Sequence, residues 1–194
     1  VTALLRLAPG DARMGQIALD AAGSPLFIDQ LATAHNERPE SAQADTHDEA
    51  LTLADVIGRR LAQLPRDARS ILEVLAVAGQ PVDDVVLRLA SGFTSLESSG
   101  LALLRSARLV RALTIDGRTH SESYHDRIRE TVAQSLAGEL STKTHRSLAR
   151  ALEETGSDDV DRLATHWRAA GERSRAFTYT VQAAERATAQ LAFD

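Results

Sequence analysis

LVRALTIDGRTHSESYHDRIRETVAQSL, residues 109–136, decides the fold. Its first half has strand character on both sides of Asp116-Gly117, a dipeptide suited to the positive backbone angles of a two-residue hairpin turn. With a tight turn, Ile115 faces Arg118, Arg111 faces Glu122 and Leu109 faces Tyr124, which makes one cross-strand ion pair and one apolar pair. The period then changes, because Ile128, Val132 and Leu136 recur every four residues on one helix face. His125 therefore stands at a strand-to-helix junction, where an imidazole can reach outward while Tyr124 and Ile128 anchor both sides in the core.

Upstream of this stretch the pattern is helical. Ser98 or Ser99 caps a helix that turns Leu101, Leu103, Leu104 and Ala107 inward, and Asp83 and Asp84 open another with Val85, Val86 and Leu89 inside. Arg66 to Ala78 buries Ile71, Leu72, Val74, Leu75 and Ala78, and Gly79 with Pro81 stops it. Before Pro65, Leu53, Val56, Ile57, Leu61 and Leu64 share one face. Helices, a hairpin and a closing helix describe a winged-helix domain over residues 51–140. Residues 36–50, NERPESAQADTHDEA, carry charge and a proline without periodicity and read as a flexible linker. Residues 1–35 hold a short strand at Val1–Leu7 and a helix from Asp11 through Met14 and Ile17 to Gly23. A second helix follows, with Pro25 in its first turn and Ile28 and Leu31 at helical spacing.

Downstream, residues 141–194 read as helix to the end, with Leu148, Ala151 and Leu152 inward. Leu163, Ala164, Trp167, Gly171 and Ala176 fall at the offsets of a tetratricopeptide repeat, in which large residues wedge between two antiparallel helices and small ones permit close approach. Trp167 is expected as a core wedge before a ligand platform. Val160, Ala183 and Thr188 occupy further repeat positions, and Thr180 stands where an aromatic is usual. A solenoid needs about three repeats for stability, so the array is expected to continue past Asp194.

Composition supports a mainly α fold. Among 194 residues, 43% are hydrophobic but only 4% aromatic, which suits packed helices better than a β-sandwich. Cysteine is absent, so the chain has neither a disulfide framework nor a thiolate metal site. No apolar run approaches the roughly 20 residues of a membrane span and no signal peptide opens the chain, so a cytoplasmic location without membrane contact is expected. Net charge is -5, and Lys143 is the only lysine. Lys143 follows no glycine-rich loop, which excludes a P-loop and any nucleotide hydrolysis by this segment alone. The chain begins at Val1 within a strand-like run, so a longer parent protein is expected.

Between Asp83 and His125, Arg88, Arg105, Arg108, Arg111 and Arg118 are balanced by Asp83, Asp84, Glu97, Asp116 and Glu122. That balance, with few polar side chains on the helix that would enter a groove, disfavours nucleic acid as a partner. His120, His125 and Asp126 are near in sequence, but strand parity turns the two histidines to opposite faces. His145 and His166 sit on amphipathic helices and are expected to face solvent. No catalytic or metal-binding residue is therefore assigned.

The order of parts adds a resemblance. AAGSPLFIDQL, RLAQLPRDARSILEVLAVAG, YHDRIRETVAQSL, HRSLARALE and LATHWRAAGERSRA, in that order, are similar to the C-terminal part of bacterial STAND-class signal-transduction ATPases of the AAA type. Relatives of this kind are fused to LuxR-type DNA-binding domains or to serine/threonine kinases. The resemblance implies a lid segment, a winged helix and the start of a repeat array, in a parent that binds ATP or ADP. It implies that Pro25, in a Gly-x-Pro motif, packs on the adenine base. It also implies that His125, in an apolar-His-Asp motif, contacts the β-phosphate and locks the closed, ADP-bound state. Asp126 takes no role, because bacterial members commonly carry another residue there. The implied partners are the parent's own ATPase core and an effector on the repeats. The rival expectations are a structural, protein-binding scaffold without nucleotide contact and a DNA-binding winged helix of a transcription regulator.

Overall fold

The structure, a computed structural model, describes residues 28, 31, 33, 53–93, 99–136 and 138–191. Contacts divide the chain into two compact units, Val1–Gln63 and Leu64–Asp194. In the first unit Ile28, Leu31 and Thr33 are helical, with Leu31 buried and Thr33 exposed, as the spacing after Pro25 predicts. Helix α1, Leu53–Ala62, follows. It buries Val56 and Ile57 and places Asp55 in its first turn and Arg59 and Arg60 in its last, complementing the helix dipole at both ends. The strand at residues 1–7, the helix after Asp11, Pro25 itself and the linker at 36–50 lie outside the described residues.

The second unit is mainly helical around a small antiparallel sheet. At its centre runs α2, Arg66–Ala78, which buries Ala68, Ile71, Leu72, Val74, Leu75, Ala76 and Ala78. Gly79, at φ 68°, ends it in the left-handed conformation that spares glycine a Cβ clash. Next come β1 (Val82–Asp83), α3 (Asp84–Ser91), α4 (Ser99–Ser106), β2 (Val110–Ile115), β3 (Arg118–Ser123) and α5 (Asp126–Ser135). Helix α2 packs against α3, α4 and α5.

The hairpin register follows the sequence expectation: Ile115 pairs with Arg118 and Arg111 with Glu122, and the Tyr124 amide donates to the Leu109 carbonyl at 2.9 Å. Asp116 and Gly117 take φ 50° and 74°, the double positive turn that the Asp-Gly dipeptide permits. Strand β1 was not legible in the sequence. It pairs with β3 through Val82 opposite Ser121 and Asp83 opposite His120, giving the sheet order β1-β3-β2. Two residues carry no alternation, so only the partner strand reveals them.

Several inward assignments are corrected. Val85 and Leu103 are 46% and 39% exposed, while Leu87, one position past Val86, is fully buried. On short helices the apolar arc is broad, and the packing of α3 on the later helix Glu139–Glu154 and of α4 on α2 selects which flank is covered. At the start of α4 the Asp67 carboxylate on α2 accepts from the Gly100 amide at 2.8 Å, while Ser98, one of the two expected caps, lies outside the described residues. A Cβ at Gly100 would lie 2.5 Å from that carboxylate and 2.8 Å from the Ala68 nitrogen, so glycine is what lets α4 approach α2.

The final helices are α6 (Glu139–Glu154), α7 (Val160–Ala169) and α8 (Arg173–Leu191). Helix α6 therefore opens before the expected Ser141. Asp159 caps α7 by accepting from the Arg162 amide at 3.0 Å. Helix α7 packs on both α6 and α8, and α6 packs on α2 and α3, so these helices continue the core that surrounds α2. Trp167 is buried, as expected of a wedge. Its indole donates to Glu153 of α6 at 2.9 Å, and Glu153 also accepts from Tyr179 (2.8 Å) and Arg175 (3.1 Å) of α8. The Arg175 guanidinium covers the Trp167 ring at 4.4 Å. One carboxylate thus joins all three helices.

Candidate functional site

His125 occupies the N-cap position of α5, with extended backbone at φ -142° and ψ 144°. The hairpin fixes the entry and Ile128, fully buried, fixes the exit, so the residue is positioned by rigid elements on both sides. Its carbonyl accepts from the Ile128 and Arg129 amides at 3.0 and 3.3 Å, while its side chain makes no capping hydrogen bond to α5. The imidazole is half-buried and lies 5.7 Å from the Tyr124 ring, centre to centre, at 51°. Tyr124 itself is 38% exposed, which corrects its expected role as a core anchor. Its main chain extends the ladder while its ring flanks His125. Asp126 points to solvent and pairs with Arg129 at 3.3 Å within α5. Pro25, the other residue expected to meet nucleotide, lies outside the described residues, so the structure does not place it relative to His125.

Three of the five arginines between Asp83 and His125 pair with carboxylates of the same module. Arg105 of α4 binds Asp84 at 3.2 Å and the buried Ser121 hydroxyl at 3.1 Å, and Ser121 donates to Asp84 at 2.8 Å. This triad locks α4, α3 and β3 together. Arg111 pairs with Glu122 across the hairpin, and Arg118 lies 3.7 Å from Asp83. The groove between the hairpin tip and the α6–α7 turn, about 960 Å³, is lined by Asp83, Asp84, Asp116, Asp158, Arg118 and Arg162, and of these Asp83 and Arg118 lie within ion-pair distance of each other.

A second cluster was missed by sequence reasoning. His166 of α7 is 3% exposed, contrary to the expectation that it faces solvent. Its Nδ1 lies 3.0 Å from Nδ1 of the half-buried His145 on α6, so one ring donates its proton to the other. Burial first, then His145, then Arg162, depress the His166 pKa to about 3, and burial also lowers that of His145. Both rings are therefore neutral near pH 7. Arg162, one helical turn before His166, has Nε and Nη2 buried with no hydrogen-bond partner among the described residues, and His166 Nε2 is likewise unpartnered. A faint signal existed in the four-residue spacing of Arg162 and His166. Their burial depends on the end of α2, some eighty positions earlier.

Compared with known proteins, the chain matches no family model and no curated protein sequence. None of the described helices is long and apolar enough to cross a membrane.

Proposed function

We propose that this chain is the regulatory part of a nucleotide-switched signal-transduction ATPase of the STAND class, with residues 51–140 forming a winged helix and residues 141–194 opening a repeat array. The element order supports the winged helix: helix, strand, two helices and a hairpin, with the first strand pairing on the last in the order β1-β3-β2. The antiparallel pair α7–α8, wedged by Trp167 and approached closely at Ala176, supports the repeat.

The observation that carries the nucleotide reading is the placement of His125. It stands at the N-terminus of α5, directly after the hairpin, where the helix dipole favours an anion, and its ring lies beside that of Tyr124. In the parent, a β-phosphate oxygen accepting from this imidazole would hold the winged helix against the ATPase core. Loss of that contact would release it. An effector on the repeats biases the same two-state equilibrium by binding one arrangement better than the other. Pro25 would contribute the adenine contact. The segment itself performs no chemistry, and the output, kinase or DNA-binding, belongs to other parts of the parent.

A structural scaffold is the second reading, favoured by the tilted packing of His125 on Tyr124. Calorimetric titration of ADP into the parent protein, wild type and His125→Ala, separates the two. Loss of a charge-assisted hydrogen bond weakens binding by about 1.5–3 kcal/mol, and unchanged affinity in a folded variant leaves only the scaffold.

A further inference from the structure

Helix α8 carries a different inference on the side it turns away from α7. Its inner side is set by Ala176, which is buried, and by Tyr179 and Ala183, which are half-buried. On the opposite side Phe177, Val181, Ala184 and Thr188 follow one another at alternating four- and three-residue steps, and all are exposed. At about 100° per residue these positions fall within an arc of about 60°, a narrow seam of the kind that pairs helices. Phe177 is 71% exposed, the most exposed large apolar side chain among the described residues, and Val181 is 39% exposed. Apolar side chains scattered singly on a surface are ordinary, whereas a stripe of them at heptad spacing marks a contact.

The seam has two unlike halves. Phe177 projects near its start as a knob. Further on, Val181, Ala184, Glu185 and Thr188, at positions i, i+3, i+4 and i+7, frame a shallow depression with Ala189 at its edge. Residues at that spacing form the hole that receives a knob from a facing helix, and alanine and threonine leave this one open. Knob and hole lie about two helical turns apart on one helix, so a second α8 running antiparallel sets each Phe177 in the hole of the other. We propose that α8 is a self-association surface, which pairs with a second copy of this chain in an antiparallel two-fold dimer through Phe177 and Val181. The two-fold axis passes near Val181, which meets its own mate. Glu185 then comes opposite the exposed hydroxyl residues Ser174 and Thr178 of the second copy, and not opposite another carboxylate.

A repeat stacked on α8 would leave the seam open: of its repeat positions, Ala176, Thr180 and Ala183 lie on other sides of the helix, and Thr188 alone falls in the stripe. With 19 residues α8 is about 28 Å long, and a single helix pair of that length buries less than the roughly 1,600 Å² of a standard interface. The dimer is therefore weak, with a dissociation constant in the micromolar range, and it forms as concentration rises. The inference does not rest on the nucleotide reading of His125, and either can fail alone.

The test is sedimentation velocity of the protein between about 1 μM and about 500 μM, where a monomer–dimer equilibrium is expected. Phe177→Ser removes the knob and Ala184→Glu puts a charge in the hole. Both positions are exposed, so each variant should fold like wild type and associate at least about tenfold more weakly. The chain has no cysteine, so orientation can be read from single introduced ones. Val181→Cys is expected to form an intermolecular disulfide at least about tenfold faster than Ala187→Cys, which is exposed on another side of α8. The proposal is overturned if the protein stays monomeric throughout, if either folded seam variant associates like wild type, or if the two cysteine variants cross-link at equal rates. In the monomeric outcome, nuclear Overhauser contacts of the Phe177 ring tell a covering segment of this chain from a bare helix face.

Discussion

Acidification should unfasten α6 from α7 through His166 before the carboxylates titrate. Its folded pKa of about 3 lies below the ordinary value of 6.5, so between those limits the unfolded chain binds more protons than the folded one. Stability is therefore intact above about pH 6.5 and falls as the pH drops, at about 1.4 kcal/mol per unit. By about pH 5 the loss from this one residue is about 2 kcal/mol, a large fraction of a typical folding free energy. Burial is the largest cause of the shift, followed by His145 and then Arg162, both of which disfavour a charge on His166. The assay is denaturant unfolding of wild type and His166→Gln at about pH 7.5 and about pH 5, extrapolated linearly to water. His166→Gln loses stability at both pH values, because a buried hydrogen bond and some packing go. Its decline on acidification, however, should be smaller than that of wild type by about 2 kcal/mol. Equal declines in the two proteins would refute the reasoning, since the background of the other titrating groups is common to both.

Two further perturbations test the packing. Gly100→Ala pushes a methyl group into the Asp67 carboxylate and the Ala68 backbone, forcing α4 off α2. Thermal unfolding should report a loss of about 1–3 kcal/mol in spite of alanine's better helix propensity. Glu153→Gln removes the charge shared by Trp167, Tyr179 and Arg175. A destabilisation of about 1.5–3 kcal/mol is expected, with a changed near-ultraviolet signal from the tryptophan. The Tyr179 pKa is raised by burial and then by its hydrogen bond to Glu153, so in Glu153→Gln it should fall, as read by phenolate absorbance.

Much of the fold was legible because it is local. The face of α2, the cap of α3 by Asp83, the stop at Gly79 and the register of the hairpin are each specified within a few residues of where they act. The strand-to-helix junction at His125 was legible for the same reason: the turn at Asp116-Gly117 counts off the ladder to Ser123, and Ile128 starts the next period. Tyr124 was misjudged because alternation beyond the end of a strand predicts a face without predicting whether anything covers it.

The sequence by itself determined where the chain is helix, where it turns and which short stretch pairs with itself, since periodicity, caps and turn residues act over one or two turns of chain. Tertiary structure alone decided the rest. Strand β1 exists because β3 offers it a partner. Asp67 caps a helix that begins more than thirty residues later. Glu153 becomes the shared acceptor of three side chains from two other helices, and His166 becomes a neutral core residue instead of a surface one. The physical reason is common to all four: burial and hydrogen bonding between distant positions are set by how helices pack, and an amphipathic pattern specifies an apolar arc without specifying which polar groups at its edges the neighbouring element will cover.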